Sequence, residues 1–152
     1  MSLIPSKPLP LACVAALAAC VIAAPAAVRA AELEVRVTGV TQPQGQVGCW
    51  LYANQTGFPL ESAGARIQWV AADPKGVTCR FTGVAEGRYA LSVGHDLNGN
   101  QRVDTDRLGR PNEPWGVTQN VRPTFRAPRF DEAAFSVPAG DAKIVIDVKV
   151  AQ

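Results

Sequence analysis

Glu32-Leu33-Glu34-Val35-Arg36-Val37-Thr38-Gly39-Val40 puts Leu33, Val35 and Val37 in one phase and Glu34, Arg36 and Thr38 in the other. A period of two is that of an extended strand with one face in a core and one in water. The same period returns along the chain. Gln46 to Ala53 sets Val47, Cys49 and Leu51 against Trp50 and Tyr52; with both phases apolar, this strand is expected at the centre of its sheet, covered on both sides. Arg66 to Ala71, Val77 to Gly83 and Arg88 to His95 follow, Ala134 to Val137 makes a short strand, and Lys143 to Val150 closes the chain with Ile144, Ile146, Val148 and Val150 in phase. Ala85-Glu86-Gly87 reads as a hairpin turn between the Val77 and Arg88 strands. No window sustains a helical period. The pattern predicts an all-β sandwich of about seven strands, of the immunoglobulin-like or transthyretin-like (prealbumin-like) kind. The order Cys49, Trp69, Cys79 is too tightly spaced for the usual immunoglobulin bridge.

Upstream of the first strand, residues 1–30 have the order of a secretory signal peptide: Lys7, an apolar run from Leu9 to Ala24, then Val28-Arg29-Ala30 before Ala31. Cleavage is expected after Ala30, leaving 31–152 as one domain, periplasmic or secreted. Two alternatives compete. Leu17-Ala18-Ala19-Cys20 resembles a lipobox, which would lipidate Cys20 and anchor an envelope accessory protein, although Val21 and Ile22 continue the apolar run. A membrane anchor is disfavoured by Pro10, Pro25 and the dominance of alanine, so no transmembrane span is expected in the mature form.

The chain of 152 residues carries 15 Lys+Arg and 13 Asp+Glu, and loss of Lys7 and Arg29 with the leader leaves 13 of each. A neutral domain has no electrostatic basis for nucleic-acid binding, and a monomer is expected, with an unknown envelope or extracellular partner. Two cysteines remain, Cys49 and Cys79. In an oxidising compartment they are expected to form a disulfide, the alternative being two separate buried thiols.

Between Asp96 and Glu132 the alternation stops. This stretch holds Arg102, Arg107, Arg110, Arg122, Arg126 and Arg129 against Asp96, Asp104, Asp106, Glu113, Asp131 and Glu132. Unpatterned segments of such length inside compact domains are usually functional or disordered. Trp115, Phe125 and Phe130 predict an ordered excursion packed onto the sandwich, and they are also candidates for a sugar- or peptide-recognition surface.

The excursion opens with His95-Asp96-Leu97-Asn98-Gly99-Asn100-Gln101-Arg102-Val103-Asp104. Side-chain oxygens of Asp96, Asn98 and Asn100 at alternate positions, the Arg102 carbonyl and the Asp104 carboxylate make a donor set of the kind hard cations such as Ca²⁺ require. Two positions depart from the EF-hand template: Gln101 stands at the turn glycine and Arg107 at the bidentate glutamate. The competing reading is a turn whose Asn and Asp side chains cap their own backbone. His95 is the sole histidine, so a small periplasmic hydrolase would have to draw on His95, Asp96, Asp104 and Glu113.

From about Gly45 to Val150 the chain resembles the DUF2141 family of secreted bacterial proteins. The resemblance is carried by Gly87-Arg88-Tyr89-Ala90-Leu91-Ser92-Val93-Gly94-His95-Asp96-Leu97-Asn98-Gly99-Asn100, by Asp104, by Leu108-Gly109-Arg110-Pro111-Asn112-Glu113-Pro114-Trp115-Gly116 and by Pro128-Arg129-Phe130-Asp131-Glu132-Ala133-Ala134-Phe135. Val117-Thr118 replaces the family's usual phenylalanine-serine pair. The resemblance implies an exported β-sandwich and no particular activity. The expected role is therefore non-catalytic, in envelope binding or structure, with Ca²⁺ as the one candidate cofactor.

Overall fold

A computed structural model of the protein describes residues 30–152. The leader, the Cys20 lipobox and the anchor alternative lie outside the described residues. Among the described residues, no helix is long and apolar enough to cross a membrane.

Eight strands are present among these residues: β1 (Ala31–Thr38), β2 (Gln46–Tyr52), β3 (Ala65–Ala71), β4 (Val77–Val84), β5 (Gly87–Asp96), β6 (Trp115–Val117), β7 (Phe135–Val137) and β8 (Lys143–Lys149). They form two sheets, one in the order β4-β1-β8, the other in the order β3-β2-β5-β6 with β7 paired to the start of β5. The pairing of β1 with β8 is parallel and the others are antiparallel. The architecture is thus mostly β and consistent with the expected all-β sandwich.

Alternation puts Leu33, Val35 and Val37 of β1, Val47, Cys49 and Leu51 of β2, Val77, Cys79 and Phe81 of β4 and Leu91 and Val93 of β5 into one buried core. Cys49 and Cys79 form a disulfide with Cα atoms 6.5 Å apart, joining β2 of one sheet to β4 of the other. The bridge therefore crosses the interior. On the far face of the smaller sheet the Glu34 carboxylate is buried, and it is compensated by Arg36, Arg80 and Lys143 at 3.1, 3.6 and 3.5 Å.

The central position expected for β2 is confirmed, since every residue from Val47 to Tyr52 is buried. Its second face carries a separate apolar layer in which Trp50, Tyr52 and Val103 pack with Phe58, Leu60, Ile67, Trp69 and Phe130. Two facing glycines, Gly48 of β2 and Gly94 of β5, make room for it. A Cβ on Gly48 would lie 2.5 Å from the Trp50 ring and 2.7 Å from the Trp69 ring, and one on Gly94 would overlap Val103. Glycine inside a strand marks such a close approach.

Two expectations are corrected. Ala85-Glu86-Gly87 is not a hairpin turn, because β4 pairs with β1 and β5 with β2; the segment carries the chain from one sheet to the other. The excursion from Asp96 to Glu132 also contains regular structure, namely β6, a 3-10 turn at Thr118–Asn120 and the one-turn helix α1 (Phe130–Ala133). These elements are too short to display a period. The buried Thr118 hydroxyl anchors them, accepting from the Leu91 N–H at 3.1 Å and donating to the Ala133 carbonyl at 2.5 Å.

Candidate functional site

Asp96, fully buried at the end of β5, organises the loop that follows. Its Oδ1 accepts from the N–H groups of Gly99 and Asn100 at 2.7 and 3.2 Å, and its Oδ2 from that of Gln101 at 2.7 Å. Asn98 and Asn100 repeat the pattern, their Oδ1 atoms accepting from the N–H groups of Asn100 and Arg102. Asp104 is then tied back by the amide donors of Asn98 and Asn100 and by Arg102 Nε at 2.8 Å. These donors, the Asn100 amide first, hold the Asp104 carboxyl below the usual carboxylate range. Glu113, also buried, spans the loop, with Oε1 accepting from Leu97 N–H at 2.8 Å and Oε2 from Asp104 N–H at 2.9 Å. The residues read as metal ligands do lie together, joined by backbone-capping bonds. Among the described residues, no group of three or more His, Cys, Asp or Glu side chains is arranged to hold a metal ion.

His95 does not join Asp96, Asp104 and Glu113, the other three residues of the hydrolase reading, which share the loop. His95 and Asp96 are consecutive in a strand, so their side chains leave opposite faces. The buried imidazole donates its Nε2–H to the Gln44 carbonyl at 2.8 Å, while Asp96 and Glu113 are engaged by backbone amides of the following loop.

Beyond this loop the excursion builds a cleft. Its floor is held to the second face of the large sheet: the Pro59 carbonyl accepts from Ser92 Oγ at 2.6 Å, and Tyr52 OH donates to the carbonyls of Glu61 and Pro59 at 2.8 and 3.2 Å. Burial pushes the Tyr52 hydroxyl up to a pKa of about 12, so it remains a donor. One wall is the turn around Leu108, closed by Asp106, whose Oδ1 accepts from Leu108 and Arg110 N–H and whose Oδ2 pairs with Arg110 Nε at 3.0 Å. The Arg110 N–H, first among these partners, holds the Asp106 carboxyl low.

The other wall runs through residues 122–128. At its start Arg122 lies over the Trp115 ring, 4.8 Å from the centroid, and donates to the carbonyls of Trp115, Ala151 and Gln152, closing the C-terminus onto β6. At its end Arg126 makes a two-pronged pair with Glu132 at 2.6 and 2.8 Å, which holds the Glu132 carboxyl down at about 2. The cleft so formed has a volume of about 390 Å³ and is lined by Pro59, Leu60, Leu108, Gly109, Arg110, Pro111, Trp115, Pro123, Thr124, Phe125, Arg126, Ala127 and Pro128. Leu108 is 76% exposed and Phe125 97%.

The three aromatic residues singled out from sequence separate here. Phe125 is a surface residue on the cleft, whereas Trp115 lines it but lies under Arg122. Phe130 is a packing residue, edge-on to Phe58 with centroids 6.0 Å apart. Leu108 was not singled out, because a lone leucine between Arg107 and Gly109 carries no periodic signal.

A family model described as an uncharacterized protein conserved in bacteria (DUF2141) matches residues 35–145. The chain belongs to this family. No curated protein matches, and no solved structure does. The DUF2141 match runs from the middle of β1 to the first residues of β8 and takes in the Asp96 loop and the whole cleft.

Proposed function

We propose that this DUF2141 protein is an exported, non-catalytic binding domain of the cell envelope, and that the cleft between residues 105–111 and 122–128 receives its ligand. The observation that carries this reading is the exposure of Phe125 and Leu108 on one concave surface, since large apolar side chains gathered at a pocket mark interaction sites. The Cys49–Cys79 disulfide is compatible with a non-cytoplasmic location. Two packed sheets joined by that bridge support kinship with immunoglobulin-like or transthyretin-like sandwiches. The commitment of Asp96 and Glu113 to backbone amides and the complete burial of His95 support a role without catalysis.

The test is a fragment screen followed by amide chemical shifts. Hits are expected to move the signals of residues 108–111 and 123–128, and Phe125→Ser is expected to weaken them roughly tenfold while leaving thermal stability within about 0.5 kcal/mol, as for other surface substitutions. Hits that cluster elsewhere, or that ignore Phe125→Ser, would remove the cleft as the binding face.

Calcium binding by Asp96, Asn98, Asn100, Arg102 and Asp104 is the second reading. It is favoured by the partly exposed Asp104 carboxylate, which draws three side chains' donors, including the Arg102 cation, to one point. A cation there would replace Arg102, so millimolar calcium is expected to raise the melting temperature of the wild type and not of Asp104→Asn. Equal melting curves with and without calcium would reject it.

A further inference from the structure

The sequence of the excursion is electrically neutral, but its surface is not. Of its six acids, Asp96 and Glu113 are 0% and 5% exposed and point inward to backbone amides, whereas all six arginines are exposed. The charges at and beside the cleft are then Arg107, Arg110, Arg122, Arg126 and Arg129 against Glu61, Asp106 and Glu132, a cationic excess. Arg110 and Arg126 line the cleft with no carboxylate beside them in its lining, and their ion pairs with Asp106 and Glu132 hold them in place from outside that lining. Among the described residues Arg107 and Arg129, each next to a lining residue, enter no salt bridge, Arg129 acting on Glu132 only at longer range.

We infer that the cleft takes an acidic peptide segment of a protein partner, an extended stretch with an apolar side chain between carboxylates; the inference rests on the cleft being the ligand face. Charge complementarity selects the carboxylates. The apolar lining, with four prolines, and the freely exposed Phe125 select the apolar side chain between them. A sugar would need amide or carboxylate groups to bond its hydroxyls and an open aromatic face for stacking. The lining holds no amide or carboxylate side chain, Arg122 already covers Trp115, and Phe125 alone is left as an open aromatic face. A flat lipid surface would leave a cleft of about 390 Å³ unfilled.

The probes are short synthetic peptides with a central Leu-Pro-Phe triplet flanked by aspartate, serine or lysine, together with phosphatidylglycerol vesicles. They are titrated into oxidised protein expressed from the full chain, and binding is located by amide shifts. The aspartate-flanked peptide is expected to bind at the cleft roughly tenfold more tightly than the serine-flanked one. The gain should shrink in high salt and be lost in the Arg107→Gln, Arg129→Gln double variant, which keeps its hold on the serine-flanked peptide. Equal affinities of aspartate- and serine-flanked peptides at the cleft would overturn the acidic preference and leave the cleft reading standing. Vesicle binding in place of peptide binding would assign the surface to lipid instead. No shift at residues 108–111 or 123–128 with any peptide would overturn the cleft reading itself.

Discussion

Replacing Cys49 and Cys79 together by alanine is expected to lower the unfolding free energy by roughly 2–5 kcal/mol. Both cysteines are 0% exposed and their bond joins the two sheets across a separation of 30 residues. On the chain-entropy account a loop of that length restrains the unfolded chain by about 3–4 kcal/mol. Removing two buried sulfur atoms from the centre of the core adds the cost of unfilled space. Domains of this size have total stabilities of about 5–15 kcal/mol, so the variant should retain its strands but unfold at markedly lower urea. Urea unfolding of the variant and of the oxidised wild type measures the difference. A change below about 1 kcal/mol would mean that side-chain packing holds the sheets together without the bridge.

Asp96→Ala is expected to cost about 2–4 kcal/mol, with Asp96→Asn intermediate because one oxygen acceptor is retained. The substitution strands the N–H groups of Gly99, Asn100 and Gln101. The loss should spread in a defined direction. Val103 covers Gly94 and packs with Trp50, so loosening residues 97–104 uncovers the Trp50 layer while leaving the disulfide-linked core intact. Hydrogen exchange should therefore accelerate at residues 97–104 and on the Trp50 face before it does at Leu33, Val35 or Cys79. Glu113 bridges the same loop through Leu97 and Asp104, and a double-mutant cycle between Asp96 and Glu113 should show coupling. Uniform acceleration throughout both sheets would contradict this order.

The placement of the candidate ligand face was only partly legible in the residues. Phe125 and Phe130 are five positions apart in a segment without a period, and nothing local distinguishes the one on the cleft from the one under Phe58. Phe130 is half-buried because α1 turns it toward the second face of β2, a consequence of the Thr118 anchor between Leu91 and Ala133. The Asp and Asn spacing after His95 was legible as oxygen side chains at alternate positions, and the turn reading placed beside it describes the bonds they make. The signals for the Trp50 layer were Gly48 and Gly94, each interrupting an otherwise bulky strand.

Seven of the eight described strands, their core-facing phase and the cysteine pairing were determined by the sequence itself, because alternation is a property of a strand with its own neighbours, and only two cysteines remain beyond residue 30. Which sheet each strand joins was decided by tertiary structure. The turn at Ala85–Gly87 serves a hairpin or a crossing between sheets equally well, and the parallel docking of β8 beside β1 brings together residues more than a hundred positions apart. Surface charge was likewise decided by tertiary structure. Six acids and six arginines cancel in the sequence of the excursion, and a cationic rim emerges only because folding turns Asp96 and Glu113 inward to cap backbone amides while the arginines stay outside.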